Sequence, residues 1–274
     1  MPVYNGGYLL GESLECLRTQ TYGDFQVRIF DNASTDETNA VASEFAERDP
    51  RFVVIRSDTT VPMGANFIRS AENSDCDYFA WRADDDLSAP NFLERLVETL
   101  NDNPEAGLAT CTIRTEKPYK NKVNFHHPFS VPNNRLLGTL KLMYWSHPSW
   151  IYCLFRRDKF EGRYQAAINA LPHVWAWDHL ALLPFFLERS VVQTDRTYFL
   201  QRVGADPRRT PYTPMETALQ WEHYKHFLKF CSELVDNSAF NAFERAVLKA
   251  SLIRYSSKRT FRLTKMAYGR TIGR

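Results

Sequence analysis

Three carboxylates stand side by side at Asp84, Asp85 and Asp86, just after the apolar run Tyr78–Trp81 and the spacer Arg82–Ala83. Like charges so close raise at least one pKa unless something compensates them. A solvated loop at a strand end is one solution. The other is a hard divalent cation: a cluster of oxygen ligands suits Mg²⁺ or Mn²⁺ bridging a diphosphate, and the ion's charge stabilises neighbouring ionised carboxylates. Asp31 closes a second β-rich run, Phe25–Phe30. A further carboxylate, Asp178, lies between Trp177 and His179 with Trp175 nearby. Flanking indoles would partly desolvate it and raise its pKa toward useful basicity. The plainer role for Asp178 is a first-turn acid complementing a helix dipole.

The elements needed to position these acids are visible as periodicity. Leu10, Leu14 and Leu17 predict a helix over 8–20, and FQVRIF predicts a strand ending at Asp31. Ser34 and Glu37 have the spacing of a capping box ahead of Val41 and Phe45. RFVVIRS and DYFAWR read as strands, GANFIRSAENS as a short helix, and PNFLERLVETLNDNP as an amphipathic helix with Pro90 near its first turn. GLATCTI, SWIYCLF and TYFLQRV read as further strands, and VWAWDHLALLPFFLERS as a helix bent at Pro184. This β-α-β-α alternation predicts an α/β fold: a Rossmann-like, mostly parallel sheet flanked by helices. Three prolines in 203–214 mark a linker. The expected division is therefore a domain over 1–202, the linker, and a helical extension over 215–274.

Composition sets outer limits. The 274 residues are 44% hydrophobic and 24% charged, as in ordinary globular chains, and no apolar stretch approaches the roughly 20 residues of a membrane span. Five scattered cysteines without a C-x-x-C predict reduced thiols and a cytoplasmic setting. Charge is uneven. No Asp or Glu follows Glu244, while nine of the 34 Lys and Arg lie beyond it, so a body of −7 carries a tail of +9. That tail is either a solvated terminus or a peripheral contact with anionic phosphate at a membrane's inner face. No nucleic-acid-binding motif accompanies it, so nucleic acid is not an expected partner.

In open α/β sheets ligands bind beyond the carboxyl ends of the strands. There the chain carries, in order, P-x-Y-N (2–5), D-N-x-S-x-D (31–36), G-x-N (64–66) and D-D-D-x-x-x-P (84–90). This ordered set resembles the family 2 glycosyltransferases of the GT-A fold over roughly residues 1–200. The resemblance implies that Pro2, Val3, Tyr4 and Asn5 form a loop against a nucleotide base, with Asp31 reading base or ribose. Asp36 would support that loop, and Gly64 and Asn66 would sit near the nucleotide. Asp84–Asp86 match the family's D-x-D region in a D-D-D variant: Asp86, with Asp84, is expected at the metal, and Asp84 and Asp85 at sugar and ribose. The family places a buried strand immediately before P-x-Y-N, whereas Met1 stands at its end here. The first strand is thus expected to be missing, and restored upstream residues to raise thermal stability, since unpaired mid-sheet backbone groups are costly.

An inverting sugar transfer needs a carboxylate to take the acceptor's hydroxyl proton, and Asp178 is the candidate. The resemblance agrees, though Trp177 replaces a frequent acidic partner. Trp145 or Trp150 are candidates to stack on an acceptor sugar, and His147 to contact diphosphate or metal. Arg202, Arg208 and Arg209 are candidates to close over the diphosphate, as groups that assist leaving-group departure do. The expected reaction is metal-dependent transfer from a nucleotide-diphospho-sugar, a UDP-sugar, to a glycan or lipid-linked hydroxyl. The processive-synthase mark Q-x-x-R-W is absent. An inactive nucleotide-sugar-binding partner subunit and a sugar nucleotidyltransferase are the alternatives.

Overall fold

Pro2 and Val3 form a two-residue strand, β1, which pairs in parallel with β2 (Val27–Asp31), Pro2 opposite Phe30 and Val3 opposite Asp31. β3 (Phe52–Arg56) lies parallel on the other side of β2. The computed structural model describes residues 1–72, 75–208, 215–263 and 266. The helices α1 (Gly7–Arg18), α2 (Thr38–Arg48) and α3 (Met63–Ala71) connect or follow these strands. Leu10, Leu14 and Leu17 recur at helical spacing on α1, so one face meets Val27, Ile29 and Phe52 of the sheet in a shared core with Met1, Val3 and Ala42. The Met1 ammonium is also buried. It donates to Arg28 O (2.8 Å), and burial, then the Arg28 charge, pulls its pKa down to about 5.

Beyond α3 the strands are β4 (Tyr78–Phe79), β5 (Leu87–Ser88), β6 (Leu108–Lys117), β7 (Lys122–His126), β8 (Leu154–Arg156) and β9 (Val191–Arg202), with α4 (Phe92–Asn101) between β5 and β6. They make a second sheet in the order β4-β8-β6-β9-β5, with β7 paired to β6. The β4–β8, β5–β9, β6–β7 and β6–β8 pairs are antiparallel. A mostly parallel sheet therefore describes only the first three strands, because the chain returns into the second sheet from the opposite direction. Ser149–Lys159 and Val192–Thr210 join Met1–Phe129 in this first compact unit.

The second unit comprises Ser130–Pro148, Phe160–Val191 and Pro211–Arg274. Its helices are α5 (Arg135–Trp145), the single turn α6 (Arg157–Phe160) that enters it, α7 (Arg163–Asn169), α8 (Trp177–Glu188), α9 (Thr217–Asp236) and α10 (Ala242–Arg259). α8 is apolar on all sides and accordingly buried from Leu180 to Leu183 and from Phe185 to Leu187. Pro184 is accommodated within it. Among the described residues no helix is long and apolar enough to cross a membrane.

Two local expectations need correction. SWIYCLF is not one strand: Pro148–Tyr152 is a 3₁₀ helix and only Leu154–Arg156 is extended. Its apolar run suits either state, and both parts are buried, so periodicity and burial do not separate them. Ser34 and Glu37 form no capping box, since α2 starts at Thr38 and the Ser34 hydroxyl instead accepts the Asn5 N–H (3.0 Å). A capping box forms instead at Asn241 with Glu244, at the start of α10.

Candidate active site

In the first unit the P-x-Y-N loop is held by the D-N-x-S-x-D segment. Asn5 adopts a left-handed backbone (φ 49°), unusual for a non-glycine residue, and is pinned on both sides. Its N–H donates to Ser34 Oγ, and its side-chain oxygen accepts the Thr35 N–H (2.9 Å). Gly6 N–H donates to Thr38 Oγ1 (3.0 Å) and Gly7 N–H to Asp36 Oδ2 (3.1 Å). Asp36 thus supports the loop, as the resemblance implied. Tyr4 is half exposed beside it, whereas Val3 is core.

Asp31 has no exposed surface. Its Oδ1 accepts the Ser34 N–H (2.9 Å) and its Oδ2 the Arg56 guanidinium (2.7 Å). In this conformation the carboxylate holds the turn after β2, with its Oδ2 taken up by Arg56. Asn66 is also buried: it donates to Phe30 O (3.2 Å) and accepts from Arg69 (2.7 Å), tying α3 to β2.

The aspartate turn lies directly against this loop. A methyl group at Gly6 would overlap Asp84 Oδ2 and stand 2.8 Å from Asp84 Cγ, so the loop and the turn meet with no room for a side chain. Asp84 and Asp86 are buried and Asp85 is half exposed. Asp86 Oδ1 accepts the Arg202 N–H (2.8 Å), and Arg202 also donates to Asp85 O and pairs with Glu12. Burial, then the Asp85 charge, raises the Asp86 pKa, against the Arg202 N–H and the Arg82 and Arg202 charges. Arg82 is itself buried beside Cys16 Sγ (3.3 Å) and over the Phe199 ring (5.2 Å).

Arg202 therefore braces the turn through its backbone N–H and its guanidinium. Nothing in its position relative to the neighbouring residues signalled that, nor the part taken by Glu12. Arg208 pairs with Glu37 (2.6 Å) and lies over Tyr8 (4.6 Å). Arg209 falls outside the described residues. Trp150 is a core residue, 1% exposed, stacked on Phe129 (6.0 Å) and edge-on to His126 (6.0 Å), so its ring face is not open to a sugar. The exposed indole in that stretch is Trp145.

Among the described residues no group of three or more His, Cys, Asp or Glu is placed to hold a metal ion. The donor set that exists is smaller. It consists of the carboxylates of the turn, Asp84, Asp85 and Asp86, of which Asp86 Oδ1 accepts from Arg202. That suits an ion such as Mg²⁺, which takes one or two carboxylates and draws its other ligands from phosphate and water.

In the second unit Asp178 is in the first turn of α8, after Ala176 in a left-handed conformation (φ 64°). Burial pushes its pKa up to about 6, against the lowering influence of the His179 backbone N–H and the Arg259 charge; the His179 N–H itself donates to Ala176 O (3.2 Å). The residue as a whole is partly buried, and burial of the carboxyl is what raises its basicity. Trp177 is buried beside it, and Trp175 is exposed and stacked on Phe261 (6.3 Å). His179 is held well below the ordinary imidazole range by burial, then by the charges of Arg259 and His147. His147 itself is half-buried, just after α5. Arg259 donates to Ser146 O (3.1 Å) and Ser146 Oγ (3.0 Å), anchoring α10 to the end of α5.

A parallel three-stranded sheet whose P-x-Y-N loop packs on the aspartate turn is the frame of this site, and the sequence comparison identifies the family. The chain belongs to glycosyl transferase family 2, whose model matches residues 1–163. EpsE of Bacillus subtilis, named as a glycosyltransferase, is 33% identical over 101 residues, 36% of each chain. EpsH of the same organism, likewise named, is 30% identical over 114 residues, 42% of this chain and 32% of its own. The matches thus span about a third of these relatives' length. In structure the chain is similar to S. aureus TarS 1–349 in complex with UDP, with TM-score 0.65 and 14% identity over 94% of this chain and 70% of that one. It is also similar to the Pyrobaculum calidifontis mannosyltransferase PcManGT in complex with GDP-Man and Mn²⁺, with TM-score 0.55 and 15% identity over 94% and 72%. At these identities the likeness establishes the GT-A fold.

Proposed function

We propose that this protein transfers a sugar from a nucleotide-diphospho-sugar to an acceptor hydroxyl by one inverting displacement. The observation that carries the reading is the packing of Gly6 on Asp84, which joins the P-x-Y-N loop and the aspartate turn in one place. Loop residues Pro2 to Asn5 bind the base, and Asp84 and Asp85 orient ribose and sugar. Asp31 joins them, its Oδ2 paired with Arg56. Asp86, with Asp84 or Asp85, would hold a Mg²⁺ or Mn²⁺, which would supply charge neutralisation for the diphosphate. Asp178 accepts the acceptor's hydroxyl proton as the new C1–O bond forms and the C1–O bond to diphosphate breaks. A carboxyl near 6 is ionised at neutral pH yet more basic than an ordinary aspartate, as general-base work requires.

The TarS complex with UDP-GlcNAc and the PcManGT complex with GDP-Man support a nucleotide-sugar donor. We take UDP as the nucleotide and a glycan or lipid-linked alcohol as the acceptor. The test is a panel of nucleotide-sugars with Mn²⁺, read as nucleoside diphosphate release with and without candidate acceptors. Release that needs Asp178 supports the reading. Binding without turnover would leave a non-catalytic partner subunit, and pyrophosphate release a nucleotidyltransferase.

A further inference from the structure

β7 is an exposed strand that the core does not explain. Among the described residues it pairs only with β6, through a tight turn at Asn121 (φ 46°). Three large apolar side chains protrude from this hairpin: Tyr119 is 62% exposed, Val123 47% and Phe125 57%. The register sets Lys117 directly opposite Lys122, and Lys120 lies in the turn between them. Like charges facing each other across a ladder are destabilising. No Asp or Glu occurs from Lys117 to Phe129. The nearest acid, Glu116, is already paired with Arg114. Edge strands commonly carry lysine to prevent strand addition, which would explain the charges. It does not explain exposed Tyr, Val and Phe among them, since edge protection works by removing such groups.

We infer that the tip of the β6–β7 hairpin is a membrane-surface anchor that meets an anionic bilayer end-on: Val123 and Phe125 leave one face of the ladder, Lys117 and Lys122 leave the other, and Tyr119 and Lys120 sit in the turn between them, so both faces of the tip reach the headgroup boundary. Aromatic side chains favour that boundary, and clustered lysines are attracted to anionic leaflets. An anionic partner also relieves the Lys117–Lys122 repulsion, a charge complementarity that a second, equally basic copy of the hairpin lacks. The hairpin leaves the sheet beside the aspartate turn. Glu116 O accepts the Val203 N–H (2.9 Å), and the preceding residue, Arg202, donates to Asp86. Membrane contact there brings the donor site to a lipid-linked acceptor. That consequence rests on the transferase reading; the contact itself does not.

The test is vesicle flotation of the full chain, with phosphatidylcholine alone or with about a third phosphatidylglycerol. Wild type, K120Q/K122Q and Y119S/V123T/F125T are compared, each first shown by thermal melting to be folded. At about 1 kcal/mol per lysine near an anionic surface, the charge variant should partition roughly 30-fold more weakly to phosphatidylglycerol vesicles. The apolar variant should lose at least about tenfold. Hydrogen exchange at 117–126 should slow when vesicles are added to the wild type. No vesicle binding by the wild type, or equal binding by all three proteins, would overturn the inference. A hairpin-dependent dimer in light scattering without lipid would reassign the surface to a second copy. Retention on a soluble polyphosphate without vesicle binding would reassign it to an anionic polymer. Since flotation needs no turnover, a failed anchor and a failed transferase reading are separable.

Discussion

Replacing Gly6 with alanine separates donor binding from folding. Gly6 has φ −104° and ψ 4°, which alanine tolerates, so the backbone itself presents no obstacle. The added methyl would stand 2.8 Å from Asp84 Cγ and 3.1 Å from Val3 Cγ1, where ordinary contacts begin at 3.4 Å. Asp84 Cγ must therefore retreat by at least about 0.6 Å, and its overlapping Oδ2 by more, by turning off its rotamer at a cost of ~0.5–1.5 kcal/mol. Restricting the unfolded chain offsets this by ~0.4–1 kcal/mol, so the melting temperature should hardly move. The site is less forgiving, because a misplacement of about 1 Å in a positioning group is worth on the order of 100-fold in rate. G6A should thus keep its melting curve and lose roughly 10- to 100-fold in UDP affinity with Mn²⁺ and in kcat/KM. Calorimetry with UDP and Mn²⁺, beside a melting curve and a G23A control whose methyl meets nothing within 4 Å, gives the answer. Unaltered UDP binding by folded G6A would remove Asp84 from the donor site and refute the reasoning.

Other substitutions probe the remaining parts. D178N should abolish transfer and leave UDP binding intact; surviving turnover would mean another base. Because Asp178 must be ionised to act and titrates near 6, kcat should climb tenfold per pH unit below about 6 and level off above it, which a pH–rate profile shows directly. Stability runs the other way. A carboxyl raised by folding is best accommodated protonated, so its contribution is fully present below the unfolded value near 4 and is lost as pH rises through about 6. D178N should therefore raise the melting temperature at pH 8 and leave it nearly unchanged at pH 3.5, and a pH-independent difference would contradict the burial argument. R56Q strips the cation from the fully buried Asp31 and should cost about 1–3 kcal/mol in urea unfolding. R202A removes the ties to Glu12 and Asp85 O, and should weaken UDP·Mn²⁺ binding more than R208A; equal effects would deny Arg202 its bracing role.

Much of the architecture was legible because helical periodicity and apolar strands are local properties. The leucines of α1, Asp31 at the end of β2 and the helical C-terminal extension were readable as such, whereas the strand expected over DYFAWR shrinks to Tyr78–Phe79 and leaves Asp84–Asp86 in a bend before β5. The first strands are parallel as the alternation implied. The antiparallel returns of β8 and β9 were not readable, because strand direction depends on partners distant in the chain. Nor was the grouping of Ser130–Pro148 and Phe160–Val191 with the C-terminal helices, which side-chain packing in three dimensions decides.

The residue types at the site came from the sequence alone: an acid at the end of β2, three more in one turn, glycines and asparagine in the P-x-Y-N loop, and an aspartate among tryptophans at a helix start. Their states did not. Only tertiary structure made Asp31 a buried partner of Arg56, turned Arg202 inward onto the aspartate turn, and put Trp150 in the core while Trp145 stayed outside. The physical reason is that a motif specifies which groups are available. Exposure, charge pairing and pKa are set by neighbours that the chain brings close only when it folds.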